Sequence, residues 1–108
     1  MEDHGTRDYV FLYSGGGAPE TEQEQADVMK AWTDWFEQIG PVLKDGGAPF
    51  ETEARTIASD GSVGSGAGTF TGYTVVTADS LDAAAAIAKG SPVLSGGGSV
   101  TVHETIPM

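Results

Sequence analysis

Proton transfer near neutral pH points first to histidine, and the chain carries two, His4 and His103. His4 falls in residues 1–7, an acidic stretch that reads as a flexible tail. His103 lies in Ser99-Val100-Thr101-Val102-His103-Glu104-Thr105, whose apolar–polar alternation fits a half-buried strand. If the valines face a core, His103, Thr101 and Thr105 face the other way. His103 is the candidate general base, or a strand histidine bonded to a neighbour or to water. Asp79 is the candidate to orient it, or, with Ser80 as the other possibility, the N-cap of the helix that follows, with an oxygen accepting a backbone N–H. Tyr73, Tyr13, Phe11 and Trp32 are candidate ligand-binding side chains. The same tyrosines suit sheet packing, and Trp32, Trp35 and Phe36 recur at helical spacing, as core residues do.

Other chemistries are excluded by type or spacing. Cysteine is absent, so thiolate catalysis, disulfides and thiolate metal sites are ruled out. No His pair at helical spacing suggests a metal, and no cofactor is expected. Gly15-Gly16-Gly17 precedes a helix, where phosphate loops occur. Yet Glu20 stands where the dinucleotide fingerprint needs glycine, and Glu22 and Glu24 would repel an anion. A Gly-x-Ser-x-Gly elbow is lacking. Glu51 and Glu53 read as solvated carboxylates at an edge.

The elements that position these residues are separated by glycine clusters. Tyr9-Val10-Phe11-Leu12-Tyr13 predicts a strand apolar on both faces. Residues 20–39 predict a helix, with Val28, Met29, Trp32, Trp35, Phe36 and Ile39 on one stripe. Pro19 fits its first turn, and Gly40-Pro41 ends it. Residues 42–50 lead into a loop. Residues 53–58 predict a polar strand at a sheet edge, followed by a turn at Asp60-Gly61. Residues 70–77 predict a strand, 81–89 an alanine-rich helix, and 99–105 the final strand.

The order strand, helix, strand, strand, helix, strand predicts an α+β, ferredoxin-like domain over residues 1–108. Two helices cover one face of its four-stranded antiparallel sheet. The other face would then leave several hundred Å² of apolar surface bare, unusual for a monomer. Burying such a patch contributes roughly 10 kcal/mol gross at ~25 cal/mol/Å². A second copy packed sheet on sheet, a homodimer, satisfies it; so would residues 41–50 folded over the face.

Sixteen acidic residues oppose five basic ones, a net charge of −11. That excludes nucleic acid, whose phosphates need Lys and Arg, and docking on an anionic membrane. No apolar run approaches the ~18 residues of a membrane span, and the N-terminus lacks signal-peptide regions. A cytoplasmic protein is expected.

Tyr9-Val10-Phe11-Leu12-Tyr13, Gly72-Tyr73, Ala78-Asp79-Ser80-Leu81-Asp82-Ala83-Ala84 and Gly97-Gly98-Ser99-Val100-Thr101-Val102 resemble YCII-related (DGPF-type) small proteins. The resemblance covers roughly residues 9–104 and implies a dimeric α+β barrel. The family's Cys-Pro-His appears here as Ser91-Pro92-Val93, without the imidazole, and Asp60-Gly61 is followed by Ser62-Val63 rather than Pro-Phe. Asp79 matches the family's acidic position ahead of the second helix. Three functions follow as expectations. The first is a small-molecule binding or accessory protein, with a dimer cleft lined by Tyr73, His103 and a first-strand aromatic. The second is a lyase or isomerase with His103 as base and Asp79 as orienter. The third is an interaction module in transcriptional control.

Overall fold

A computed structural model describes residues 6–16, 19–51, 53–66 and 70–107. Strand β1 (Arg7–Ser14) buries Tyr9, Phe11 and Tyr13 and leaves Val10 and Leu12 partly exposed. It pairs antiparallel on both edges, with β5 (Gly72–Ala78) and with β6 (Ser99–Glu104). Strand β2 (Leu43–Pro49) lies outside β5, so the sheet order is β2-β5-β1-β6. The architecture is α+β, with two helices and a four-stranded antiparallel sheet, and is compatible with a ferredoxin-like fold.

The edge strand corrects the sequence reading. Residues 53–58 do not join this sheet. Arg55–Ile57 (β3) instead pairs with Val63–Ser65 (β4) in a separate two-stranded hairpin, turned near Gly61. The segment taken for a loop, 42–50, contains the edge strand. Lys44-Asp45-Gly46-Gly47 lacks the β-branched types that mark strands. The ladder tolerates it because the register shifts twice, between Leu43 and Asp45 and between Asp45 and Ala48. Since 41–50 is used this way, it does not roof the open face.

Helix α1 (Glu22–Ile39) starts two residues later than predicted. Thr21 is its N-cap: Glu24 N–H donates to Thr21 Oγ1 at 3.0 Å, and Thr21 N–H donates to Glu24 Oε1 at 3.2 Å. Pro19 therefore precedes the cap rather than entering the first turn. Helix α2 (Leu81–Ala88) is capped by Ser80, whose Oγ accepts from Ala83 N–H at 3.0 Å. Arg7, assigned to the tail by the sequence, opens β1 and ion-pairs with Glu104 at 3.0 Å. Residues 1–5, with His4, lie outside the described residues.

Trp35 of α1 and Ala84 and Ala88 of α2 join Tyr9, Phe11, Tyr13, Val76 and Ala78 in one core, so both helices cover the same face. Trp35 stacks on Phe11 at 6.3 Å. The alanines let α2 approach closely. On the other face Val10, Leu12 and Val75 remain partly exposed, beside an Asp8–Lys44 ion pair. The β3–β4 hairpin stands away from this body, with Ile57 60% and Val63 65% exposed as cross-strand partners. The radius of gyration, 15.7 Å, accordingly exceeds the roughly 13 Å usual for this length.

Gly47 holds the bulged edge. Its φ is +72°, and a Cβ there would lie 1.8 Å from the Tyr73 carbonyl oxygen. Gly97 has φ +86° but nothing nearby. In urea melts Gly97→Ala should cost about 1 kcal/mol. Gly47→Ala should cost ~3 kcal/mol or more, since overpacking adds to the backbone term. Equal costs would mean that β2 does not bulge against Tyr73.

Candidate functional site

Where β2 bulges, a cavity of about 310 Å³ opens between α1 and the β2–β5 edge of the sheet. Met29, Trp32 and Phe36, on successive turns of α1, form one wall. Gly46 and Gly47 form the opposite wall, and a Cβ on Gly46 would meet the Phe36 ring at 3.4 Å. Trp32 packs edge-on against Tyr13 at 5.0 Å and lies 5.8 Å from Phe36. Met29 is 68% exposed and forms part of the rim.

Tyr13 and Thr74 supply the polar part of this wall. Tyr13 Oη donates to Thr74 Oγ1 at 2.7 Å, and Thr74 Oγ1 donates to the Gly46 carbonyl at 3.1 Å. A carbonyl only accepts, so the direction of both bonds is fixed. Thr74 is fully buried, and the two bonds meet the cost of placing a hydroxyl in the core. Burial pushes the Tyr13 hydroxyl up to about 12, against a smaller lowering by its bond to Thr74. Among the described residues, no Asp, Glu, Lys, Arg or His lines the cavity. A broader, shallower groove of about 910 Å³ runs along another side of α1, past Trp32, Trp35 and Phe50.

The sequence candidates divide between the two faces. Tyr13, Trp32 and Tyr73 all line the 310 Å³ cavity, and the Tyr73 ring stacks on Phe50 at 6.0 Å. Phe11 does not line it; the residue is fully buried beneath Trp35. His103 pairs with Val10 on the face away from the helices, is exposed, and lines neither cavity. Its imidazole makes no hydrogen bond among the described residues. Asp79 is exposed, and the capping role predicted for it belongs to Ser80. A single cleft of His103 with Tyr13 or Phe11 is therefore not assembled within one chain. Alternation along paired strands sends Tyr13 and Phe11 to the helix side, and the imidazole, with Tyr73 opposite Leu12, to the other.

Sequence reasoning missed Thr74, Gly46, Gly47 and, as site residues, Met29 and Phe36. Thr74 had a signal: it shares strand parity with the core-facing Val76, so its hydroxyl needed a buried partner. Ser91 is buried, with no partner for its Oγ among the described residues. Among the described residues no cluster of three metal-ligating side chains occurs, and no helix is long and apolar enough to cross a membrane. No family model, curated protein or solved structure matches the chain.

Tyr13→Phe leaves Thr74 bonded to Gly46 and should cost about 1 kcal/mol. Thr74→Val strands the Tyr13 hydroxyl and should cost about 2–3 kcal/mol. Because the folded Tyr13 value lies above the ordinary 10.0, its contribution is complete below pH 10 and is lost as pH rises toward about 12. Tyr9, raised by burial and by its bond to Glu104, acts in the same direction. Chemical denaturation from pH 9 to 12 should show falling stability, with a shallower fall in Tyr13→Phe. An unchanged slope in that variant would remove the assignment.

Proposed function

We propose that this protein binds a small, neutral, largely apolar molecule in the cavity between α1 and the β2–β5 edge. The observation that carries this reading is the cavity's lining: aromatic and aliphatic walls, a hydrogen-bonded Tyr13–Thr74 pair, the exposed Thr33 and Thr71, and, among the described residues, no charged side chain. Small-molecule sites commonly combine an apolar concavity with a few fixed polar groups. The volume, about 310 Å³, falls at the low end of the range for such sites, roughly 300–1,000 Å³. That suits a ligand of one or two rings. The groups of the proton-shuttle alternative, His103 and Asp79, are both exposed and border neither cavity.

The binding unit in this reading is a homodimer. Its support is the apolar row on the open face, Val10, Leu12 and Val75, which neither helix covers. A face of four short strands offers roughly 400 Å² in projection, about half of the ~800 Å² each partner contributes to a standard interface. The outlying hairpin, with Ile57 and Val63 bare, offers the additional surface. Kinship with YCII-related proteins belongs to the same proposal and rests on the segments quoted above together with the strand order.

The chain has three methionines, Met1, Met29 and Met108, so ¹³C-methyl labelling gives a sparse spectrum with one cavity reporter. Adding toluene should shift the Met29 signal and leave the other two in place. Thr33→Trp, which fills the cavity from α1, should abolish the shift. A Met29 signal indifferent to toluene overturns the cavity reading. Light scattering at micromolar concentration should return twice the 11.1 kDa chain mass, and Leu12→Asp should return one chain with its circular dichroism retained. A monomeric parent overturns the dimer and leaves the cavity standing.

A further inference from the structure

We propose that the cavity selects molecules carrying a neutral hydrogen-bond donor, an aromatic O–H or N–H such as a phenol's or an indole's, because its buried polar groups are left only with acceptor capacity. This rests on the cavity being the binding site.

The argument follows the protons. Gly46 contributes a carbonyl, which has no proton to give. Thr74 must therefore donate its one hydroxyl proton to that carbonyl, over 3.1 Å. The Tyr13 hydroxyl must then donate to Thr74, over 2.7 Å. Both protons are spoken for, and the chain of bonds runs in one direction from Tyr13 to Gly46. What remains on Tyr13 Oη is a lone pair, and all three members of the relay line the cavity. A ligand donor completes the chain at its open end and polarises every bond in it. A ligand that offers only an acceptor, such as an ether or ketone, sets lone pair against lone pair, or breaks the relay to free a proton. The high Tyr13 value agrees, since the hydroxyl keeps its proton throughout the neutral range.

The rest of the lining sets the remaining features. Trp32 and Tyr13, already edge-to-face at 5.0 Å, present ring faces and edges that suit a further aromatic ring. Charged donors are disfavoured, because the lining holds no counter-ion to offset their desolvation. The class is therefore a neutral aromatic with one donor.

Phenol, anisole and toluene test this on the methyl-labelled protein, read through Met29. Anisole is the more apolar of the first two, so hydrophobic transfer alone favours it. Phenol should nonetheless bind about tenfold more tightly than anisole. Tyr13→Phe should bring phenol down to anisole's affinity and leave toluene unchanged. Thr74→Val, which releases the Tyr13 proton, should narrow the phenol preference. Toluene and anisole binding as well as phenol overturns the donor rule and leaves the cavity reading intact. A phenol preference that survives Tyr13→Phe also overturns it. Silence of Met29 toward all three overturns both.

Discussion

Strand β1 is hydrogen-bonded along both edges and apolar on both sides, and every later feature follows from how its two sides are treated. The period of two sends Tyr9, Phe11 and Tyr13 to one side, where they are almost wholly buried. Large rings in a row on a central strand need a broad lid. Trp35 of α1 supplies it, and the alanines of α2 fit beside it. A slip of one residue would exchange this set for Val10 and Leu12, which could not fill the same space. The register is thereby pinned by the difference in size between the two faces.

The outer edge solves a different problem. An exposed edge strand invites pairing with another chain, and bulges are one of the devices that discourage it. In β2 the bulges fall at Lys44 and at the Gly46-Gly47 pair. They leave space under α1 that side chains do not fill, and the glycines keep it clear. The absence of a Cβ at Gly47 lets β2 lie against the Tyr73 carbonyl. The absence of one at Gly46 leaves room for the Phe36 ring. Thr74 then faces a half-empty core, where its hydroxyl is tolerated because Tyr13 and Gly46 satisfy it on either side. Edge protection and cavity formation are one structural event.

Legibility followed the strength of local patterning. The central strands, both helices and the final strand were readable because hydrophobic period and caps agree within each segment. The edge strand was not. Gly46-Gly47 carries the signature of a loop, and only pairing with β5 makes it sheet. The sequence pattern instead places the second strand at 53–58, whose Arg55–Ile57 belongs to a hairpin outside the sheet. For the site, residue type alone singles out Tyr13, Trp32 and Tyr73, and all three border one cavity. His103 lies on the face opposite Tyr13 and Phe11 by strand parity alone. Thr74 was overlooked because threonine in a strand is commonplace. Its importance comes from burial, which depends on where α1 lies.

The acidic character acts on a different scale from the cavity. Helix α1 carries Glu22, Glu24, Asp27, Asp34 and Glu37 against a single Lys30, and its stripe of Met29, Trp32 and Phe36 is a cavity wall. The same helix thus presents acids to solvent and an uncharged surface to the interior. Outside, the field of a −11 chain discourages anions over about one Debye length, ~8 Å at physiological salt. Inside, the lining offers no charge of either sign, so a cation drawn in by that field would lose its hydration with nothing to replace it. Surface charge turns anions away at a distance, and desolvation turns cations away at the mouth. In the proposed binding reading a neutral molecule is subject to neither, and its discrimination falls to ring shape and to the acceptor capacity left on the Tyr13–Thr74 relay.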